Sequence, residues 1–336
     1  MKALIRDLTA SVLDLLPSYS SFEKVSNRLF IATFHRVLPE NQLHDYPLPS
    51  LAISTKQFEW FMEFFLQNFD CQRLDNAWKH FVAGGHREKP LLAITFDDGQ
   101  LDNYLHAAPV LNKFCTPATF FVPTEAIESR TFLWHDRMAY AIRSLGYQQP
   151  RSVLLTELGL SVEYACTTPR LGVMRAKNWD SRRRDDWISR AEMVVRNSIP
   201  DWDGMMDWVQ VRELAGLGHE IGSHSYSHPI LDQCNDRELY AETVESRRMI
   251  EAEIGQEVSS FCYPNGNFDH RVAECVRGAG YKVAVGTQWG SNRYNDNPFS
   301  LKRHDMVTAN SINRHGNMSR SRVRQRMLGV VRGASK

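Results

Sequence analysis

The chain has 336 residues, 43% hydrophobic and 24% charged, and its 40 Lys and Arg against 39 Asp and Glu leave a formal net charge of +1. That balance excludes a disordered chain and a nucleic-acid binder working through bulk charge, while the length suffices for one large domain with a substantial core. Six cysteines (Cys71, Cys115, Cys166, Cys234, Cys262 and Cys275) have no CxxC spacing, which fits reduced thiols in a cytoplasmic protein better than a disulfide framework or a Cys-rich zinc site.

In chain order, residues 1–28 read as an amphipathic helix with Leu4, Leu8, Val12, Leu15 and Leu16 on one face, packed on its own domain. It lacks the uninterrupted apolar core of a secretory signal, and nothing later offers the ~20 apolar residues of a membrane span. Residues 29–312 form the main domain. Short apolar runs predict strands at 29–34, 91–96, 118–122, 219–223, 258–263 and 282–287. Amphipathic stretches predict helices at about 55–68, 102–114, 207–217, 236–254 and 269–279, with Asn235 as N-cap and Gly255 as C-cap of the fourth. Strands alternating with helices predict an α/β fold with a largely parallel sheet. Residues from about 131 to 205 break the rhythm and read as an insertion after the third strand. Residues 313–336 form a basic tail: from Arg314 on it carries seven Lys or Arg and no acid, which suits a solvated end or a weak contact with anionic lipid headgroups.

Three strand ends carry the chemistry. "TFDDG" stops the apolar run 91–96 at the doublet Asp97 and Asp98; in parallel α/β folds such ends converge over one crevice, although an Asp there also caps helices. "GHEIGSHSYSH" ends another strand at His224, with His228 four residues on, Gly222 allowing close backbone approach and Pro229 closing the turn. Two neutral imidazoles and one carboxylate are a recurrent ligand set for a catalytic divalent ion. The second carboxylate is then free to take a proton from an activated water. "FCYPNGNFD" (261–269) ends a third strand in a turn whose backbone N–H groups could face an oxyanion, or simply connect strand to helix.

"TFDDG", "HSYSH" and "FCYPNG" in this order closely resemble the polysaccharide deacetylases of carbohydrate esterase family four. The resemblance runs from about Thr33 to His304. "FHRV" (34–37), "ATFFVP" (118–123) and "GYKVAVGT" (280–287) add likeness to the branch associated with bacterial exopolysaccharide. It implies a distorted (β/α) barrel, a divalent ion usually taken to be zinc, and removal of acetyl groups from N-acetylhexosamine units of a polysaccharide or a lipid-linked precursor. Carried over by position, Asp97 is the general base, Asp98, His224 and His228 hold the metal, and the Asn265 backbone N–H faces the oxyanion. Two departures stand out. The arginine that many members carry two residues before the motif's proline is Cys262 here. The late leucine-x-histidine is represented by "LKRHD" with His304 one position out of step, leaving His304 and His35 as candidates for the acid. Trp134, Trp208 and Trp289 are the aromatic side chains that could stack on sugar rings, although core packing suits each of them. A carbohydrate-binding or regulatory protein that kept the fold and lost catalysis is the alternative reading. A magnesium-dependent phosphatase or glycosyltransferase ranks behind it, since the histidine pair would then be superfluous.

Overall fold

Runs such as Leu29–Phe34 and Leu91–Phe96 have no polar alternation because both faces are covered, one by the barrel interior and one by helices. A computed structural model describes Asp7 and residues 22–149, 152–195 and 199–329; most of the expected helix over 1–28, including Leu4, Leu8, Val12, Leu15 and Leu16, lies outside the described residues. The strands are β1 (Leu29–Phe34), β2 (Arg36–Leu38), β3 (Ala52–Ser54), β4 (Asp70–Gln72), β5 (Leu91–Phe96), β6 (Thr119–Val122), β7 (Glu220–Ser223), β8 (Ser260–Cys262), β9 (Val283–Trp289) and β10 (Leu301–Asp305). Among them β1, β5, β6, β7, β8, β9 and β10 pair in parallel and close on themselves through β10–β1 and β1–β5 contacts, giving a seven-stranded barrel. β6 meets β5 only at Thr95 and Phe96, and the short β4 pairs with Leu91–Ala93 on that flank. This is the distorted (β/α) barrel expected from the motifs.

Alternation along the strands sorts the core. Leu29, Ile31, Leu91, Ala93, Phe121, Cys262, Val283, Val285 and Leu301 form one buried cluster inside the barrel, which Leu74, Ala77 and Phe81 of the helix Leu74–Ala83 join. Phe30, Phe34, Leu92, Ile94, Phe96 and Phe120 face outward against Phe58, Phe61, Phe64 and Phe65 of the helix Thr55–Asn68. A reciprocal Ser54–Gln57 capping box starts that helix. Gly222 on β7 is required by packing, since a Cβ there would lie 2.6 Å from the Phe121 ring.

The insertion follows β6 and contains helices Trp134–Gln148, Val153–Glu157, Val162–Thr167, Arg170–Ala176 and Ser181–Val194. Its core of Met138, Tyr140, Ile142, Leu145, Trp187 and Ile188 is shared with Leu38, Tyr46, Leu48 and Ala52, so it is fused to the barrel rather than free-standing. Arg36 locks the junction: buried, it donates to Asp102 at 2.6 Å and to Asp203 at 2.5 Å, and Tyr140 of the insertion donates to Asp203 at 2.6 Å.

Three findings differ from the expectations. β10 was not among the predicted strands, because Lys302, Arg303, His304 and Asp305 present no apolar run. The three-residue strands β2, β3 and β4 are too short to stand out by periodicity. The basic C-terminal segment is packed as far as it is described: helix Arg320–Met327 buries Val323 and Met327, the apolar stems and two hydrophobes outweighing the charge.

Candidate active site

The C-terminal ends of the strands surround a cavity of about 270 Å³ lined by Thr33, His35, Asp97, Asp98, His135, His224, His228, Asn265, Arg303 and Asp305, among others. Inside–outside alternation puts them there. Leu91 and Ala93 continue to Thr95 and Asp97, Leu29 and Ile31 to Thr33 and His35, and Leu301 to Arg303 and Asp305.

The backbone bends to aim the ligand set. Asp98 (φ 76°) and His228 (φ 58°) lie in the left-handed region, as does Asn265 (φ 56°), conformations that cost non-glycine residues of order 1–3 kcal/mol each and persist where a site over-determines them. His224 Nε2 and His228 Nε2 each stand 3.3 Å from Asp98 Oδ1. The three donor atoms lie within 4.8 Å of one another. His224 Nδ1 is 2.8 Å from the Cys262 carbonyl oxygen, which aims Nε2 at Asp98; burial works against charge on this ring, but Cys262 and Asp98 prevail and hold it well above its ordinary value, so a cation would take the place of the Nε2 proton. Burial works against charge on Asp98, yet its bonds to His224 and His228 prevail and hold its carboxyl well below the usual range. Burial pushes His228 down to about 4, which keeps its imidazole neutral and ligand-competent. Two imidazoles and one anionic oxygen converging at these distances are the donor set of a catalytic divalent-metal site.

The loop carrying the histidines is built from below. Glu242 accepts from the backbone N–H groups of Tyr226 and Ser227 at 2.9 Å each and from Ser227 Oγ at 2.5 Å. Ser246 Oγ donates to the Ser225 carbonyl at 3.0 Å, and Ser225 Oγ accepts from the His228 N–H at 3.0 Å. Glu242 sits in a one-turn π-helix, Ala241–Glu245; a second, Asn103–Ala107, places Asn103 to donate to the His35 carbonyl at 2.8 Å. Such turns re-aim side chains that a regular helix would not present.

Asp97 stands apart from the ligand set. Arg303 donates to both its oxygens, Nη1 to Oδ1 at 2.8 Å and Nη2 to Oδ2 at 2.7 Å. Burial alone would raise the Asp97 carboxyl; the guanidinium outweighs it and keeps the group below its ordinary value. The arginine absent from position 262 is therefore supplied by β10. Cys262 itself lies 3.5 Å from Asp97 Oδ2 with its thiol pushed up by burial. Asp97, His224 and Cys262 also lie close enough to share an ion, but both Asp97 oxygens are committed to Arg303 and the thiol is protonated, so the Asp98 set is the better fit.

His35 reaches the cavity, its Nε2 3.8 Å from Asp97 Oδ2. His304 does not. Its ring lies on the opposite face of β10, 5.5 Å from the Phe30 ring and 5.0 Å from Trp289, both nitrogens without a partner among the described residues. Burial pushes it down to about 3, so His304 is withdrawn as a candidate acid: the one-residue offset seen in "LKRHD" puts it outside. Asn265 lines the cavity, and its backbone N–H finds no acceptor among the described residues. Of the tryptophans, Trp208 is buried and bonded to Glu128, and Trp289 packs on His304. Trp134 stacks under Arg184 outside the cavity.

Sequence reasoning missed Arg303 and His135. His135, at the start of the helix Trp134–Gln148, places Nε2 3.7 Å from Asp98 Oδ2 and 3.5 Å from Asp136 Oδ2. Only Arg303 had a usable signal, the period of two through Leu301, Arg303 and Asp305.

A parallel barrel whose strand ends gather a carboxylate, two imidazoles and a second, arginine-held carboxylate is a candidate hydrolase site with a donor set that suits a metal ion. The chain matches the polysaccharide deacetylase family over residues 84–284, and it belongs to that family. It is 19% identical over 255 residues to YxkH of Bacillus subtilis (strain 168), the match spanning 76% of this chain and 65% of that protein. The deacetylase PplD of Streptococcus pyogenes, solved with acetate, superposes with a TM-score of 0.57 at 16% identity, covering 89% of this chain and 98% of that one. IcaB from Ammonifex degensii gives 0.55 at 19% identity, covering 84% and 93%. The deacetylase domain of BpsB from Bordetella bronchiseptica gives 0.51 at 17%, covering 84% and 97%. At these identities the superpositions speak to the fold.

Proposed function

We propose that the protein is a metal-dependent hydrolase that removes acetyl groups from N-acetylhexosamine units of a bacterial glycan, an exopolysaccharide or its precursor. The observation that carries this is the meeting of His224 and His228 at one oxygen of Asp98, with Asp97 clamped beside them by Arg303. Asp98, His224 and His228 would hold a divalent ion, most naturally zinc for this N and O set, which would supply Lewis acidity toward the amide carbonyl and the attacking water. Asp97, ionised throughout the working range, accepts the proton of that water. The free Asn265 N–H faces the oxygen that gains negative charge. His35, beside Asp97, delivers a proton to the departing nitrogen, so that the amide C–N bond breaks to acetate and a free amine.

The alternative of a binding protein that lost catalysis rests on the arginine missing from position 262 and the displaced late histidine. Arg303 removes the first reason, and His35 offers a substitute for the second. The test is acetate release from acetylated glucosamine oligomers: release that stops on chelation and returns with zinc supports the reading, and no release from the metal-loaded protein contradicts it. A cytoplasmic site of action, weakly attached to the membrane surface through the basic C-terminal segment, belongs to the same proposal. All six cysteines are unpaired, and among the described residues no helix is long and apolar enough to cross a membrane. Cell fractionation with and without residues 313–336 tests it, an unchanged soluble distribution discarding the segment's role.

A further inference from the structure

Besides His135, the insertion contributes one wall of the cavity through one face of a second helix. Arg170, Val173, Met174 and Lys177 all line the cavity, and their spacing of i, i+3, i+4 and i+7 is that of one side of a helix. Helix Arg170–Ala176 carries the first three, and Lys177 follows in helical conformation, bonded back to the Val173 carbonyl. Leu48, Ser50 and Leu51, from the segment between β2 and β3, line the same cavity.

Two cations on an otherwise apolar wall call for a partner; among the described residues neither has a direct one, and the Asp98 charge reaches Lys177 only across the cavity. Elsewhere in the insertion, Arg137 is paired with Glu192, Arg190 with Glu157 and Asp186, and Arg175 and Arg184 are bonded to backbone carbonyls. In the cavity, Arg303 has both oxygens of Asp97. Arg170 and Lys177 have no carboxylate within 4.0 Å and no side-chain hydrogen bond among the described residues. Lys177 is half-buried, and burial together with the neighbouring Arg170 pushes its ammonium below its ordinary value. An unpaired, partly desolvated cation beside a like charge is unfavourable unless a ligand supplies the counter-charge.

We propose that Arg170 and Lys177 form an anion subsite, so that the acetylated hexosamine processed here carries a phosphate or carboxylate group close to the reacting acetamide. This rests on the deacetylase reading and narrows its substrate class from neutral acetylated glycans to acidic ones. Two sources share that chemistry: a sugar phosphate or diphosphate, as in a carrier-linked precursor, and a neighbouring uronate in an acidic polysaccharide. Arg170 offers a planar fork suited to either oxyanion, and Lys177 a compact point charge. Between them lie the buried Val173 and the exposed Met174.

Binding tests this separately from catalysis. The zinc-loaded Asp97→Asn protein is titrated calorimetrically with N-acetylglucosamine 1-phosphate, with an acetylated disaccharide bearing glucuronate, and with the neutral methyl glycoside of N-acetylglucosamine. We expect at least one anionic ligand to bind about tenfold or more tightly than the neutral one, the preference shrinking as salt rises from 0.05 to 0.5 M and collapsing in an Arg170→Gln, Lys177→Gln double substitution. A preference for phosphate alone or glucuronate alone supports the subsite and identifies the source. Equal affinities for all three ligands, or a salt-insensitive preference, overturns the subsite on the unsubstituted cavity wall, whatever the double variant does; a preference that survives the double substitution overturns the assignment to these residues. Failure of the deacetylase reading shows elsewhere, as no acetate from any of the three ligands with the wild-type zinc protein.

Discussion

Arg303 and His304 are adjacent on β10 and have opposite fates, which only the alternation of the strand explains. Arg303 turns inward and fixes both oxygens of Asp97, so it is a positioning residue acting through that carboxylate. Arg303→Gln should lower kcat about 10²-fold or more, the scale of a misplaced reacting group, with KM and zinc content nearly unchanged. Loss of zinc together with activity would instead make Arg303 a part of the metal site. His304 turns outward into an apolar pocket with neither nitrogen bonded among the described residues. Its folded value of about 3 lies below the ordinary 6.5, so the fold favours the neutral ring. That stability is present in full above pH 6.5 and is lost as pH falls toward 3. His304→Phe should therefore raise the thermal midpoint at pH 4 more than at pH 7.5 and leave kcat within a few-fold. A collapse of kcat would return His304 to the chemistry.

At the scale of elements, the long apolar strands and most helices were legible in the sequence, because β1 and β5 are buried on both faces and the helices Thr55–Asn68 and His270–Gly278 keep their apolar stripes. β10 was not, since its inward positions beyond Leu301 line a polar cavity and follow function instead of hydropathy. The motif strings brought Asp97, Asp98, His224 and His228 forward. They could not bring forward Glu242, whose role depends on a π-turn far along the chain that places its carboxylate under the Tyr226 and Ser227 N–H groups. Glu242→Gln leaves one oxygen to accept and sets an amide against donors, loosening the loop that aims His228. Zinc affinity should fall about 10- to 100-fold, the usual effect of removing a support beneath a ligand. Competition with a chromogenic chelator measures it, and unchanged affinity would show that the loop holds without Glu242.

Across the whole molecule, Arg36 joins barrel to insertion. It sits fully buried between Asp102 and Asp203 with its guanidinium 4.5 Å from the Tyr46 ring centroid. Arg36→Leu would strand two carboxylates in the interior, and we expect a loss of about 3–5 kcal/mol in urea unfolding; a loss below about 1 kcal/mol would mean that water reaches the junction. That joint keeps the helix segment bearing Arg170 and Lys177 beside a cavity formed at the strand ends of the barrel; on the proposed reading, catalysis and substrate choice come from different parts of the chain. The most direct test of the account is acetate release measured alongside zinc content for wild type and Asp97→Asn. One zinc per chain in both proteins, with release falling at least 10²-fold in the variant, is the expected result. Near-normal release by Asp97→Asn, or no zinc bound by the wild type, would contradict it.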